Sequence, residues 1–273
     1  FWLKSSRVAM THIDYQLRNH VAVITLSRPE KGNAWAGSAM TTEFMDALDR
    51  ASGDDNVGAI VVTGAGKMFC VGVDMDMKEM LEDAKGRPFY HTATMQKPVI
   101  CAINGSAAGV GLAIACHCDV RFCSASAKLT AAYGRRGLVV EHGLSWVLPR
   151  LVGTGAAMDL CVSARVVKAD EAAQLGLVNF VCPADQVLLK AIDYADDLCA
   201  NVSPGSMAAA KYQVLRHATM SQGDALRESN DLMHVSEQGG DITEGFAAFT
   251  EKRKPRFQPV SQSPLAARIR SMM

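Results

Sequence analysis

Asn104-Gly105-Ser106-Ala107-Ala108-Gly109-Val110-Gly111 lies between two apolar runs, Pro98-Val99-Ile100-Cys101-Ala102-Ile103 before it and Leu112-Ala113-Ile114-Ala115-Cys116 after it. A strand that opens through small residues straight into a helix leaves the first backbone N–H groups of that helix without intrahelical partners. Those donors sit at the positive end of the helix dipole and suit a negative oxygen that develops only during a reaction. The same arrangement can hold phosphate, and it also occurs as a plain tight turn.

A second stretch repeats the pattern upstream. Val61-Val62-Thr63-Gly64-Ala65-Gly66-Lys67-Met68-Phe69-Cys70-Val71-Gly72-Val73-Asp74 reads as a strand, then glycines, then the start of a helix through Met75-Asp76-Met77-Lys78-Glu79-Met80. Two such turns, each offering one backbone N–H, are what a two-donor oxyanion hole requires. In this order and spacing the pair resembles the crotonase (enoyl-CoA hydratase/isomerase) superfamily. The resemblance extends to Leu26-Ser27-Arg28-Pro29-Glu30-Lys31-Gly32-Asn33-Ala34, to Cys118-Asp119-Val120-Arg121, and to Gly245-Phe246-Ala247-Ala248-Phe249-Thr250-Glu251-Lys252-Arg253. Similar positions run from about Val21 to Phe257, nearly the whole chain.

Composition narrows the function classes. The chain has 273 residues, of which 49% are hydrophobic and 21% charged, enough for a sizeable core. Formal net charge is +0, which gives no electrostatic attraction to nucleic acid or to an acidic membrane. No apolar run approaches the roughly 18 residues that would span a bilayer, and the first residues lack the apolar stretch of a secretory signal. Met10 reads as a native start with Phe1–Ala9 as an extension ahead of it. Eight scattered cysteines read as reduced, buried small hydrophobes of a cytoplasmic protein. Cys116-His117-Cys118 is metal-like in composition, but no second Cys/His pair completes it, so no metal is expected.

Strand patterns at Val21 to Leu26, Ala59 to Thr63, Val99 to Ile103 and Val120 to Cys123 alternate with helical spacing at Met40, Phe44, Met45 and Leu48, and at Met77, Met80 and Leu81. Alternation of this kind predicts an α/β domain with parallel strand pairs. The resemblance makes the expectation specific: a crotonase-like spiral of β-β-α units. After about Pro183 strand signals stop; Val187, Leu188, Ile192, Ala195 and Leu198 mark one helix, and Ala208 to His217 another, with a break at Ser203-Pro204. The expected division is a spiral core over 10–200 and a helical C-terminal region over 201–273. In the resembling family that region makes trimers, so a homotrimer or a dimer of trimers is expected.

The resemblance implies a thioester enolate held by the N–H groups of Val73 and Val110, with Gly72 and Gly109 ahead of them. Many relatives have glycine where this chain has Val110; the N–H survives the change, while the β-branched side chain adds bulk. Hydration by this family uses two glutamates around one water, one as base and one delivering a proton. Their positions fall at Ala113, which cannot titrate, and at Tyr133, whose residue type ordinarily ionises near pH 10. A different carboxylate is at hand in Gly137-Leu138-Val139-Val140-Glu141-His142-Gly143-Leu144-Ser145-Trp146-Val147-Leu148-Pro149-Arg150. This segment resembles the one bearing the single catalytic glutamate of peroxisomal-type Δ3,Δ2-enoyl-CoA isomerases. Glu141 would remove a C2 proton and return it at C4. Without the resemblance, Glu141 reads as a carboxylate balancing a helix dipole or pairing with Arg135 or Arg136.

His142 is expected to point away from Glu141 and to be structural, as is His91, and Asp74 to cap the helix that follows it. By the same resemblance, Arg28, Ala34, Lys67, Val71, Gly72, Gly109 and Tyr133 contact the coenzyme A or acyl part of the substrate, and Lys252 and Phe257 its adenine end. Trp146 joins Val110 and Tyr133 as a residue shaping the acyl pocket. No separate cofactor is implied, coenzyme A being part of the substrate. Three readings stay open: an isomerase using Glu141; a hydratase or a dehalogenase-like enzyme at the same site; and a non-catalytic protein of the same fold that binds acyl-CoA.

Overall fold

The computed structural model describes residues 7–75 and 88–273. A seven-stranded sheet forms its centre. It is built from β1 (Arg7–Ala9), β2 (Ile13–Arg18), β3 (Val21–Leu26), β4 (Ala59–Gly64), β5 (Val99–Ile103), β7 (Val120–Ser124) and β10 (Phe180–Cys182), in that spatial order. The first two pairings are antiparallel and the rest parallel. Arg7–Ala9, ahead of Met10, thus supply an edge strand. The short strands β6 (Ala107–Ala108), β8 (Lys128–Thr130) and β9 (Val167–Lys168) form a second sheet.

The central parallel strands read as continuous apolar runs because both of their faces are covered. Every residue of β4 and β5 is buried. On one face Ala22, Ile24, Ile60, Val62, Cys101 and Ile103 meet Phe44, Met45 and Leu48 of α1 (Gly37–Gly53). The alternating set, with Val23, Val61, Ile100 and Ala102, meets Val187, Ala191, Ile192 and Ala195 of α6 (Val187–Asn201). Period-two alternation within one strand therefore serves two different helices.

Between these lie α2 (His91–Thr94), α3 (Val110–His117), α4 (Leu144–Ser163) and α5 (Ala169–Gln174). All eight residues of α3 are buried, which explains an apolar composition all around that helix. The path of α4 breaks at Gly153, whose φ of 77° and ψ of 158° lie outside the helical range. The C-terminal helices are α7 (Pro204–His217), α8 (Gln222–Glu237), α9 (Gly240–Glu251) and α10 (Pro264–Met272). Ser203 caps α7 by accepting from the Ser206 N–H, with Pro204 at the first helical position, as the Ser-Pro break predicts. Lys211 of α7 is tied to the core: its Nζ donates to Asp119 Oδ2 at 2.8 Å and to the Thr92 carbonyl at 2.7 Å.

The expected strands at Val21, Ala59, Val99 and Val120 all form, and the mixed α/β architecture with C-terminal helices is the one expected. The helix expected through Asp76 to Met80, with Met77, Met80 and Leu81 on one face, lies outside the described residues.

Candidate active site

The two glycine loops leave the C-terminal ends of neighbouring parallel strands, β4 and β5, where open α/β sheets place their ligands. They then run side by side. Cys70 and Ala107 form a parallel bridge, and three residues further along each loop come Val73 and Val110. Between them the glycines face each other: a Cβ built on Gly109 would stand 3.9 Å from Gly72 Cα. Gly109 has φ 52° and ψ −120°, and Gly72 has φ +109°, conformations that favour glycine strongly.

The orientation of the Val73 amide follows from its pairing. The Trp35 N–H donates to the Gly72 carbonyl at 2.7 Å and the Asp74 N–H to the Trp35 carbonyl at 3.0 Å, so Trp35 binds the residues on either side of Val73. In a parallel ladder that turns the Val73 N–H to the opposite side. Val110 is the first residue of α3, so its N–H has no intrahelical acceptor. Among the described residues neither N–H donates a hydrogen bond.

Two asparagine networks hold these loops, one from half-buried Asn104 and one from wholly buried Asn33. Asn104 Oδ1 accepts from the Gly64 N–H at 3.1 Å, and its Nδ2 donates to the Gly66 carbonyl at 3.0 Å. Asn33 Nδ2 donates to the Ala65 and Met68 carbonyls at 2.9 and 2.7 Å. Neither asparagine stood out in the sequence, although each adjoins a glycine, Asn33 after Gly32 and Asn104 before Gly105.

Glu141 sits on the loop that leads into α4, and its carbonyl accepts from the Leu144 N–H. Its side chain is 33% exposed, and His142 Nε2 lies 3.6 Å from its Oε2. The expectation that the two side chains point apart is therefore corrected. Consecutive left-handed residues, His142 with φ 55° and Gly143 with φ 71°, fold the imidazole back beside its neighbour. Beneath them His117 Nε2 donates to the His142 carbonyl at 2.9 Å. Burial holds both imidazoles below the ordinary histidine range, and in His142 the nearby His117 adds to the effect. Among the described residues Arg135 and Arg136 form no ion pair with Glu141; Arg136 donates to the Ala132 carbonyl instead.

An aromatic series links the Glu141 loop to the Val73 loop. The His142 ring meets Phe89 edge-on at 4.7 Å, and Phe89 meets Trp35 at 5.1 Å. Tyr133 stands 6.3 Å from the His142 ring, and its Cε1 would be 3.9 Å from a Cβ on Gly109. Ala113, on α3, is wholly buried.

The remaining expected contacts are spread more widely. The Arg28 guanidinium pairs with Asp74 at 2.8 Å and donates to the Ala34 carbonyl at 2.6 Å, which ties the segment after β3 to the Val73 loop. Asp74 is 6% exposed and pairs with Arg28 and Lys31; the helix it was expected to cap lies outside the described residues. Val71 packs its methyls against Gly32, at 3.2 Å from a Cβ built there, and Lys67 is exposed. His91 pairs with Asp49 at 2.8 Å. Trp146 is half-exposed, with the Arg150 guanidinium 3.7 Å above its ring. Lys252 ends α9 in a left-handed conformation. Phe257 lines a cavity of about 210 Å³ with His20, Gly58, Lys97, Pro98 and Cys199. That cavity adjoins the N-terminal ends of β3, β4 and β5, the opposite end of the sheet from Gly72 and Gly109. Cys116 and Cys118 are buried, burial pushes the Cys116 thiol up to about 12, and Cys118 Sγ donates to the Ile114 carbonyl.

Two backbone N–H groups without acceptors, on neighbouring loops whose glycines face each other, are the kind of arrangement an oxyanion-stabilising enzyme requires. The chain belongs to the enoyl-CoA hydratase/isomerase family, whose model matches residues 16–260. An enoyl-CoA hydratase of Alternaria alternata is 34% identical to it over 87% of this chain and 83% of the relative. The 1,2-epoxyphenylacetyl-CoA isomerase of Escherichia coli is 30% identical over 87% of this chain and 94% of the relative. The crystal structure of an enoyl-CoA hydratase from Mycobacterium tuberculosis superposes with a TM-score of 0.86 at 28% identity, covering 91% of this chain and 99% of that one. The chain is thus an acyl-CoA hydratase/isomerase-type enzyme.

Proposed function

We propose that this enzyme converts 3-enoyl-CoA thioesters to their conjugated 2-enoyl isomers, with Glu141 as its single acid/base. The observation that carries the reading is the chemistry around the two paired glycines. The hydratase carboxylate positions hold buried Ala113 and Tyr133, while Glu141 is the carboxylate whose charge acts on the Tyr133 hydroxyl.

In this mechanism the thioester oxygen lies between the Val73 and Val110 N–H groups. Glu141 takes a proton from C2, the negative charge spreads onto the thioester oxygen and C4, and Glu141 returns the proton at C4. One group serves both transfers, so no second carboxylate and no bound water are needed. Preorganised donors of this kind contribute roughly 10²–10³ each in rate. Coenzyme A enters as part of the substrate, with Arg28, Ala34, Lys67, Val71 and Lys252 proposed to contact it, and no separate cofactor is required; Phe257, at the opposite end of the sheet, is left out of that set.

The competing reading is hydration, which the name of the Alternaria relative favours; the Escherichia coli relative, named an isomerase, favours isomerisation. The exposed apolar row Ile242, Phe246 and Phe249 on α9 supports self-association as a trimer or a dimer of trimers. Eight cysteines without a disulfide support a reducing, cytoplasmic setting.

The test is Glu141→Gln, which keeps the shape and removes the base. The variant is expected to bind acyl-CoA within about threefold of wild type and to lose at least about 10³ in kcat. Turnover within tenfold of wild type would remove Glu141 from the chemistry.

A further inference from the structure

Val110 and His117 are the first and last residues of α3, and the whole helix is buried. Val110 presents its N–H at one end. At the other end His117, 5% exposed, donates from Nε2 to the His142 carbonyl at 2.9 Å. A carbonyl only accepts, so the neutral imidazole carries its proton on Nε2 and a single tautomer is fixed. Among the described residues no backbone N–H donates to that carbonyl.

The bond falls where the backbone holds itself least well. His142 has φ 55° and Gly143 φ 71°, and a residue with a side chain stays in the left-handed region only when its surroundings keep it there. Gly143 also makes room for the imidazole, since a Cβ built on it would stand 3.1 Å from His117 Nε2. The turn sets the direction in which the chain presents Glu141, and it keeps the His142 imidazole 3.6 Å from that carboxylate. The His117 end of α3 is itself pinned, because Thr92 Oγ1 donates to the His117 carbonyl at 2.9 Å. One buried helix therefore runs from the oxyanion donor to the loop that carries the carboxylate.

We infer that His117 is a positioning residue for the proton transfers, and that its hydrogen bond to the His142 carbonyl holds Glu141 in place relative to the Val110 N–H. The inference rests on the reading of Glu141 as the acid/base and deepens it. A base displaced by about 1 Å from a reacting carbon can lose roughly 10² in rate, so a single bond to its loop is enough to matter.

The experiment compares wild type, His117→Leu, His117→Gln and Glu141→Gln in the full chain. It measures kcat with a 3-enoyl-CoA and the dissociation constant for butyryl-CoA. H117L fills the buried space without a donor, whereas H117Q keeps an N–H there. H117L is expected to lose about 10² in kcat while binding butyryl-CoA within about threefold of wild type, and H117Q to recover to within about tenfold of wild type. A merely structural role would weaken binding together with kcat and would not be rescued by glutamine. The inference is overturned by an H117L kcat within threefold of wild type, by equal losses in H117L and H117Q, or by an H117L protein that loses its affinity as well. A loss of turnover in E141Q with none in H117L removes this inference alone. Turnover in E141Q within tenfold of wild type, or a wild-type protein that leaves the 3-enoyl-CoA unchanged, removes the acid/base reading and this inference with it.

Discussion

At the residue scale, the backbone N–H of Val110 can be removed almost by itself. Proline is well suited to the first position of a helix, where its missing N–H disturbs no intrahelical bond. Gly109, which precedes it, already has a ψ far from the helical range that a following proline disfavours. Val110→Pro is therefore expected to fold and to lose roughly 10²–10³ in kcat/KM, whereas Val110→Ala, which keeps the N–H, loses less than about tenfold. Equal losses in the two variants would mean that the side chain, and not the amide, matters. The two glycine loops were legible in the sequence as strand-to-helix turns, because small residues at the mouth of a strand carry that meaning wherever they occur; Val73 and Val110 within them were singled out by the family resemblance. His142 was legible from neither. Its left-handed backbone leaves no mark in residue type, and it brings the imidazole to 3.6 Å from Glu141.

At the element scale, the loop carrying Glu141 rests on histidines kept neutral by burial. The His117 and His142 imidazoles take a proton less readily in the folded chain than the ordinary value of about 6.5. Below pH 6.5 the unfolded chain gains protons that the folded chain refuses. Their contribution to stability is complete above that pH and is lost as pH falls through the depressed folded values. The melting temperature is expected to fall between pH 7 and pH 5, above the range where carboxylates begin to protonate, and His142→Gln should flatten the slope. A wild-type melting temperature constant across that window would contradict this account of the loop. Helix and strand positions followed from periodicity, as the Val21, Ala59, Val99 and Val187 elements show. The ties between elements did not. Arg28 to Asp74 and Asn104 to the Gly64 loop join residues about 40 positions apart, and no local pattern encodes such pairs.

At the scale of the whole molecule, α7 to α10 are bound to the sheet domain through Lys211 and through Gln96, whose side chain reaches the Ala266 carbonyl at 2.7 Å. Their outward row, with Phe249 85% and Phe246 69% exposed, is apolar surface of the kind that marks an interface. Sedimentation is expected to give a mass three or six times that of the chain, and Phe249→Glu should shift it toward the single chain. A wild-type protein that sediments as one chain would exclude the assembly. The helical character of this region was legible from its apolar spacing; what covers its exposed row was not, because an outward phenylalanine and a core phenylalanine look alike in one dimension. The central claim is that one carboxylate shifts a double bond and adds no water. Its most direct test mixes the enzyme separately with a 3-enoyl-CoA and a 2-enoyl-CoA and follows the absorbance of the conjugated thioester. The account predicts a rise with the first and no change with the second; a fall with the second would mean hydration and would contradict it.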